Sequence, residues 1–371
     1  MDTIEWVVAV FPIILYAFFS LLLSLHLARP EPISTGPTGS VSIIIAARNE
    51  AANILNCLES LSKLDYPSEL LQIIVVNDRS EDATQELIAN FIEGRPHFCY
   101  HQVTTAHPQL SGKASAISQV IPNATGEFLF ITDADCVVPP QWVRQTMAYF
   151  DESVGVVAGF TLPHPAANVF ERLQLMDAAY LLSVAAGSIR LGLPLTCMGN
   201  NFALRRQVYD EVGGYEGVGF SVTEDFALLK GIANRTRWKI AFSIHPQTLV
   251  RTQPTRGWRN FFSQRKRWTI GGRSVSWWGK LLVATSLAAW LSLFALIFFW
   301  PHYCAAIFAA LAIWGSDYAL LSISFKKLKQ NTLSYYLILY KLFFWFYGAI
   351  LALLLFCNQK IRWKGTEYIA H

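Results

Sequence analysis

Apolar runs of membrane-spanning length stand at both ends of this chain, leaving only the stretch from 41 to 275 suited to folding in water. Residues 4–27 are almost wholly apolar, and three further runs occupy 281–300, 303–325 and 333–356. A helix needs about 20 apolar residues to cross the hydrocarbon core of a bilayer, and each run is close to that length. Composition agrees: of 371 residues, 15% are charged and 53% hydrophobic, whereas a soluble chain averages roughly a quarter charged.

The first run reads as a retained anchor at 1–30, because Asp2 and Glu5 precede it and Arg29 follows it. A signal peptide has basic residues first and a shorter apolar core. These flanks place the N-terminus outside and residue 29 onward in the cytosol. Residues 31–40, rich in Pro, Gly and Ser, form a linker. Six scattered cysteines without a C-x-x-C pair argue against a disulfide framework or a zinc site and for a reducing compartment. A net charge of +4 is too small to argue for nucleic acid and suits an anionic membrane surface.

From Val41 strands and helices alternate. Val41 to Ala46 is a buried strand followed by Arg48-Asn49-Glu50, and Leu71 to Val76 is a second, ending in Asn77-Asp78-Arg79-Ser80. A helix from about Glu81 to Phe91 is expected next, capped by Ser80, then a weaker strand at 98–103 and a small-residue helix after Gly112-Lys113. The apolar run Phe128 to Ile131 leads into Thr132-Asp133-Ala134-Asp135. A helix over 141–150, a strand at 154–160, a helix-like run over 169–191 and a strand at 238–244 continue the alternation. The run at 169–191 suits either core or a face resting on the bilayer. This pattern implies a mostly parallel sheet covered on both faces, with ligands beyond the carboxyl ends of its strands.

Glu50, Asp78, Lys113, Asp133 and Asp135 all fall at or just past such ends. In an extended segment Asp133 and Asp135 point to the same side, and carboxylates closing a buried strand call for a cation. A divalent metal carrying phosphate answers that need. Alone, the pair is equally compatible with a solvated turn. The glycine fingerprint of dinucleotide enzymes is missing after the first strand, and no Walker A motif occurs. A nucleotide here must be held by side chains and a metal. Thr223-Glu224-Asp225 opens a further helix, where acids have a capping explanation too. Residues 256–273 hold five Arg and one Lys interleaved with Trp and Phe. They suit attraction to anionic lipid or clamping of a diphosphate.

In the membrane region, Asp317 and Lys341 lie inside apolar runs and are expected to pair with each other or to contact polar groups of the tail. Three crossings after the cytosolic unit would leave the basic tail Lys360-Ile361-Arg362-Trp363-Lys364 outside, against the positive-inside tendency. One run is therefore expected to be interfacial or re-entrant.

Taken in order, Ala47-Arg48-Asn49-Glu50, Asn77-Asp78-Arg79-Ser80, Gly112-Lys113, Asp133-Ala134-Asp135, Thr223-Glu224-Asp225 and Gln264-Arg265-Lys266-Arg267-Trp268 resemble the motifs of membrane-bound family 2 glycosyltransferases. The last matches their Q-x-x-R-W pattern. The resemblance spans about 41 to 275 and is closest to the ceramide glucosyltransferase type, whose motifs are shared by processive polysaccharide synthases. It implies an α/β GT-A fold, a Rossmann-like mostly parallel sheet flanked by transmembrane helices. The catalytic domain would be 41–275 with interfacial helices, and 276–371 a membrane region with a short basic tail. It also implies an inverting, metal-dependent transfer from a nucleotide-diphosphate sugar, such as a UDP-hexose, to a hydroxyl. Asp135 and Asp133 would hold Mg²⁺ or Mn²⁺, and Asp225 would be the general base. Glu50, Asp78, Lys113, Asn201, Gln264, Arg267 and Trp268 would join Asp133 around the donor. The expected partners are a nucleotide sugar, a membrane lipid acceptor and the bilayer, in a multi-pass protein of a bacterial cell membrane with its catalytic domain in the cytoplasm. Few helices to line a polymer pore favour single transfer to a lipid over a polysaccharide synthase. A non-catalytic lipid-binding protein is the remaining alternative.

Overall fold

A computed structural model describes residues 3–31, 36–298, 303–330, 336–357, 360–363 and 366–369, with side chains described from 7 to 351 among these. Linker residues 32–35, the Pro301-His302 break and Lys364 of the basic tail lie outside the described residues.

The first apolar run is one helix, α1 (Thr3–Ala28). The central unit starts with β1 (Val41–Ala47), α2 (Ile54–Leu61), β2 (Leu71–Asn77), α3 (Thr84–Ile92), β3 (Phe98–Gln102), α4 (Gly112–Val120) and β4 (Phe128–Asp133). It continues through β5 (Cys136–Val137), α5 (Trp142–Met147), β6 (Val154–Gly159), β7 (Thr161–Pro163) and the long α6 (Val169–Arg190). β8 (Phe202–Arg205), α7 (Arg206–Glu211), α8 (Gly214–Val218), α9 (Glu224–Arg235), β9 (Lys239–Ser243), β10 (Val250–Thr252) and α10 (Trp258–Gly271) complete it. Helices α11 (Trp277–Phe298), α12 (Tyr303–Lys327) and α13 (Leu337–Cys357) carry the remaining apolar runs, followed by a hairpin of β11 (Lys360–Trp363) and β12 (Thr366–Ile369).

Seven strands form one sheet in the order β3-β2-β1-β4-β8-β6-β9. All neighbours are parallel except β8, which runs antiparallel to β4 and β6. The fold is thus the expected mostly parallel α/β sheet, with one strand that apolar patterning misses: Phe202-Ala203-Leu204 is too short to stand out. Alternation along the strands sorts the core. Ile43, Ile45, Ile73, Val75, Phe128 and Phe130 face α2 and α5; Ile44, Ile74, Val76, Leu129 and Ile131 face α4 and α6. Each such fully buried side chain contributes about 1.5–3 kcal/mol.

Helix α3 starts at Thr84, three residues later than the sequence suggests, and Ser80 does not cap it. The intervening loop is committed elsewhere. The Ser80 hydroxyl accepts from the Asn49 amide at 3.0 Å, and Asp82 accepts from the amides of Ala51 (3.1 Å) and Thr84 (3.0 Å). Asn49 and Arg79 adopt positive φ of 54° and 57° in these two facing turns. The carboxyl ends of β1 and β2 are thereby tied together.

The described helices include three long and apolar enough to cross a membrane, over Val7–Ala28, Trp277–Phe298 and Tyr303–Lys327. Small and branched residues (Ala9, Ile13, Ala289, Leu293, Ala306, Ile313) interlock α1, α11 and α12, and Phe11, Phe18, Leu291, Phe308 and Leu311 form an exposed apolar belt. Helix α6 is core: it packs against α1, α12 and α13 on one side and β7 and β9 on the other. Asp317 and Lys341 pair with each other at 2.7 Å, fully enclosed, and Tyr16 donates to the same carboxylate at 2.7 Å. Of the alternatives left open for these two charges, the mutual ion pair is the one formed. At the other end of the bundle Glu31 accepts from Tyr149 (2.7 Å) and Lys327 (2.8 Å) and pairs with Arg190. One carboxylate therefore ties α1, α6 and α12 to the sheet unit.

Candidate active site

The strand order turns back between β1 and β4, which makes the crevice beyond their carboxyl ends the place for a ligand. Register aligns that edge: Ala47 lies opposite Asn77, and Ala46 opposite Asp133. A cavity of about 1350 Å³ opens there. Glu50, Asp78, Lys113, Asp133, Asp135, Asp225, Gln264, Arg267 and Trp268 line it, drawn from segments far apart in sequence.

Two sides of the crevice carry different chemistry. Asp78 is buried, and its Oδ1 accepts from Arg79 Nε and Nη2, both at 2.9 Å. Glu50 follows β1 and accepts from Asn53 at 2.8 Å. At the end of β4, Asp133 pairs with the Lys113 ammonium at 2.6 Å, while Lys113 also donates to the Gly199 carbonyl at 3.1 Å. Burial alone would push the Lys113 ammonium down. The carboxylates of Asp133, Glu224 and Asp225 outweigh it and hold the group above its ordinary value.

Ligand atoms of Asp133, Asp135 and Cys136 lie within 4.8 Å of one another. The Cys136 thiol is wholly buried, and burial and then the two carboxylates push it well above its ordinary value. It stays a neutral thiol donating to Asp135 Oδ1 at 3.4 Å. The donor set that remains is two carboxylates, the oxygen ligands that hard divalent cations such as Mg²⁺ or Mn²⁺ favour.

Across the cavity Asp225 opens α9. Its Oδ2 accepts from the Gly199 amide at 2.6 Å and its Oδ1 from the Phe226 amide at 2.8 Å. A Cβ on Gly199 would stand 2.7 Å from that of Asp225, so glycine is what permits this close approach. Glu224 beside it is held above the usual glutamate range, by burial and then by the Asp225 carboxylate, with Lys113 and Arg267 offsetting part of the rise. The fold thus favours its neutral form. That contribution to stability is full below the ordinary glutamate value, about 4.3, and is lost as pH rises through the elevated one. Without donor, Glu224→Gln is expected to melt above wild type at pH 7 and to match it near pH 4. A gap independent of pH would contradict this.

Helix α10 explains the basic run. Residues 265 and 267 are separated by about 200° of helix turn, so they face opposite ways. Arg267 reaches the cavity, donating to the Val222 carbonyl at 2.9 Å. Arg265 is buried, pairs with Asp177 at 2.6 Å and lies 4.2 Å over the Trp268 ring. The other Asp177 oxygen accepts from Tyr347 (2.6 Å) and Tyr340 (3.2 Å) on α13. Arg256, Arg259 and Arg273 are exposed. Gln264 accepts from Thr255 (3.1 Å) and Arg265 (2.6 Å) at the cavity wall.

One expected contact is absent. Asn201 is buried away from the cavity, its amide donating to the carbonyls of Phe160 and Thr248, both at 2.8 Å, and accepting from Trp142 at 3.0 Å. All of its obvious hydrogen-bonding directions serve the junction of β6, β8 and β10. Asn200 lines the cavity instead, with Oδ1 buried and lacking a hydrogen-bond partner. Asp177, Arg265 and Gly199 are the other contributors that the sequence pattern did not single out. An acid in the apolar middle of a helix, as Asp177 is in α6, was the available signal.

A crevice of this make, acidic at the strand ends and basic on one helix, joins an α/β sheet to helices apolar enough to cross a membrane. Comparison with known proteins places it: residues 42–213 match Glycosyl transferase family 2, and 128–363 match Glycosyl transferase family group 2. The chain belongs to glycosyl transferase family 2, and its sheet is a GT-A fold. A probable glycosyltransferase, YdaM of Bacillus subtilis, is 28% identical over 63% of this chain and 56% of its own length. A beta-monoglucosyldiacylglycerol synthase of Synechocystis sp. is 26% identical over 69% of this chain and 54% of its own. The chain thus spans little more than half the length of these relatives. In structure it is similar to a mannosyltransferase of Pyrobaculum calidifontis solved with GDP-Man and Mn²⁺. The TM-score is 0.58 at 20% identity, covering 91% of this chain and 96% of that one.

Proposed function

We propose that the protein moves one sugar, with inversion, from a nucleotide-diphosphate sugar to the hydroxyl of a membrane lipid. The observation that carries this reading is the continuity of the cavity. It runs from Asp133, Asp135 and Asp225 to Phe19 and Leu23 of α1, Leu282 and Leu287 of α11, and Phe344 of α13. A donor site for a charged, water-soluble molecule and an apolar wall at membrane depth share one space. The walls on the membrane side are apolar, which suits a lipid acceptor better than a hydrophilic polymer in transit. The similarity to a beta-monoglucosyldiacylglycerol synthase supports a lipid acceptor and glucose as the sugar moved, with a UDP-hexose such as UDP-glucose as the donor we propose.

Glu50 and Asp78, at the ends of β1 and β2, are placed to take the base and ribose. Lys113 and Arg267 bring positive charge to the diphosphate from opposite walls, and Trp268 and Gln264 close over it. Asp135, with Asp133, would hold Mg²⁺ or Mn²⁺. A cation there supplies Lewis-acid stabilisation to the departing diphosphate. Asp225, fixed by two backbone amides, accepts the proton of the attacking hydroxyl. An inverting transfer needs only that one base.

In the bilayer, α1, α11 and α12 would cross, and α13 would remain on the catalytic side. Two observations support this. Lys327 at the end of α12 meets Glu31 and Arg29 at the end of α1, and β11, which follows α13, packs against α10. The basic tail then stays with the catalytic unit, and the positive-inside conflict disappears. We assign the catalytic face to the cytoplasm on that charge bias.

Asp135→Ala tests the donor half of the reading. Metal-stimulated turnover of labelled UDP-hexose is expected to fall by at least about 10²-fold, several kcal/mol of lost charge stabilisation, with the fold intact by circular dichroism. Undiminished metal-stimulated turnover would contradict the assignment.

A further inference from the structure

Part of the cavity wall has a shape and chemistry that sugar transfer itself does not require. Helix α11 contributes Leu282, Ser286 and Trp290 to the membrane side, and α13 contributes Phe344, Trp345 and Gly348. Leu287 and Leu291 also line this slot yet are 61% and 70% exposed, so it opens on the apolar belt that faces lipid. The Trp290 and Trp345 rings meet edge to face across it, centroids 4.2 Å apart at 82°. A Cβ added at Gly348, one turn beyond Trp345, meets nothing within 4 Å. One polar atom stands out: Trp345 Nε1 is buried without a hydrogen-bond partner. In surroundings without water an unpaired N–H is costly, and a ligand oxygen would relieve it.

We propose that this slot seats the hydrocarbon of the acceptor and that Trp290 and Trp345 are its specificity-determining residues. Trp345 Nε1–H donates to an ester, amide or hydroxyl oxygen of the acceptor, and the paired rings limit the bulk of the chain that passes them. The inference rests on the lipid-acceptor reading above and adds which lipids fit.

The test uses the full chain in lipid nanodiscs with labelled UDP-hexose and acceptors that share a head group. One pair differs in ester against ether linkage, and one series differs in chain length and branching. Trp345→Phe keeps the ring and removes the donor. It is expected to raise KM for the ester acceptor about five- to tenfold, leave the ether analogue unchanged, and spare kcat. Trp290→Ala is expected to admit branched chains that wild type rejects. Donor hydrolysis without acceptor should stay at the wild-type rate in both, which separates a changed slot from a damaged fold. Wild-type KM for every acceptor in both variants, with lipid still glycosylated, would overturn the slot and leave the function standing. Failure of wild type to glycosylate any lipid would overturn both.

Discussion

Asp225→Asn is expected to bind donor nearly as wild type does and to lower turnover by roughly 10²–10⁴-fold, the range for removing a positioned general base. The substitution keeps size and the helix start of α9 but not the ability to take a proton. Its two oxygens now accept from the amides of Gly199 and Phe226; an amide side chain can satisfy one of these as acceptor, so a small structural loss accompanies the chemical one. Donor titration and single-turnover rates at saturating acceptor separate the two. Turnover close to wild type with normal donor binding would move the base elsewhere.

The second large effect lies away from the chemistry. Either Asp177→Ala or Arg265→Ala is expected to destabilise the protein by about 3–5 kcal/mol, because each strands its partner's charge in a buried site. The side chains of Arg265 and Asp177 are only 6% and 8% exposed, and the pair holds together α6, α10 and, through Tyr340 and Tyr347, α13. Thermal unfolding in detergent measures the loss. Replacing both residues with apolar ones of similar volume should recover much of it, since no charge is then left unpaired. Arg265 also lies against Trp268, so the single variants should lose acceptor turnover before they unfold.

The strand-end carboxylates were legible because long apolar runs such as Ile43 to Ile45 and Phe128 to Ile131 end abruptly in charge, and parallel sheets gather such ends on one edge. Where the chain is short or two-sided, that legibility stops. Asn200 and Asn201 are adjacent and enter a strand of four residues, so only the β4–β8–β6 register decides which one meets the cavity and which joins the core. Likewise Arg265 and Arg267 look equivalent in a basic run; the helical turn of α10 commits the first to a buried ion pair with Asp177 and leaves the second on the cavity wall beside Val222. The pairing of Asp317 with Lys341 needed the packing of α12 against α13, separated by a segment whose path no local pattern fixes. The role of α6 followed the same rule. An apolar run of its length suits core or bilayer surface, and the position of the membrane bundle selects core.

The most direct test of the account is product analysis with wild-type protein in vesicles made from host lipids, supplied with labelled nucleotide sugars and Mg²⁺ or Mn²⁺. One lipid-extractable product carrying a single sugar of inverted anomeric configuration is expected, lost when the metal is chelated. A ladder or high polymer, or label that never enters the lipid phase, would contradict it.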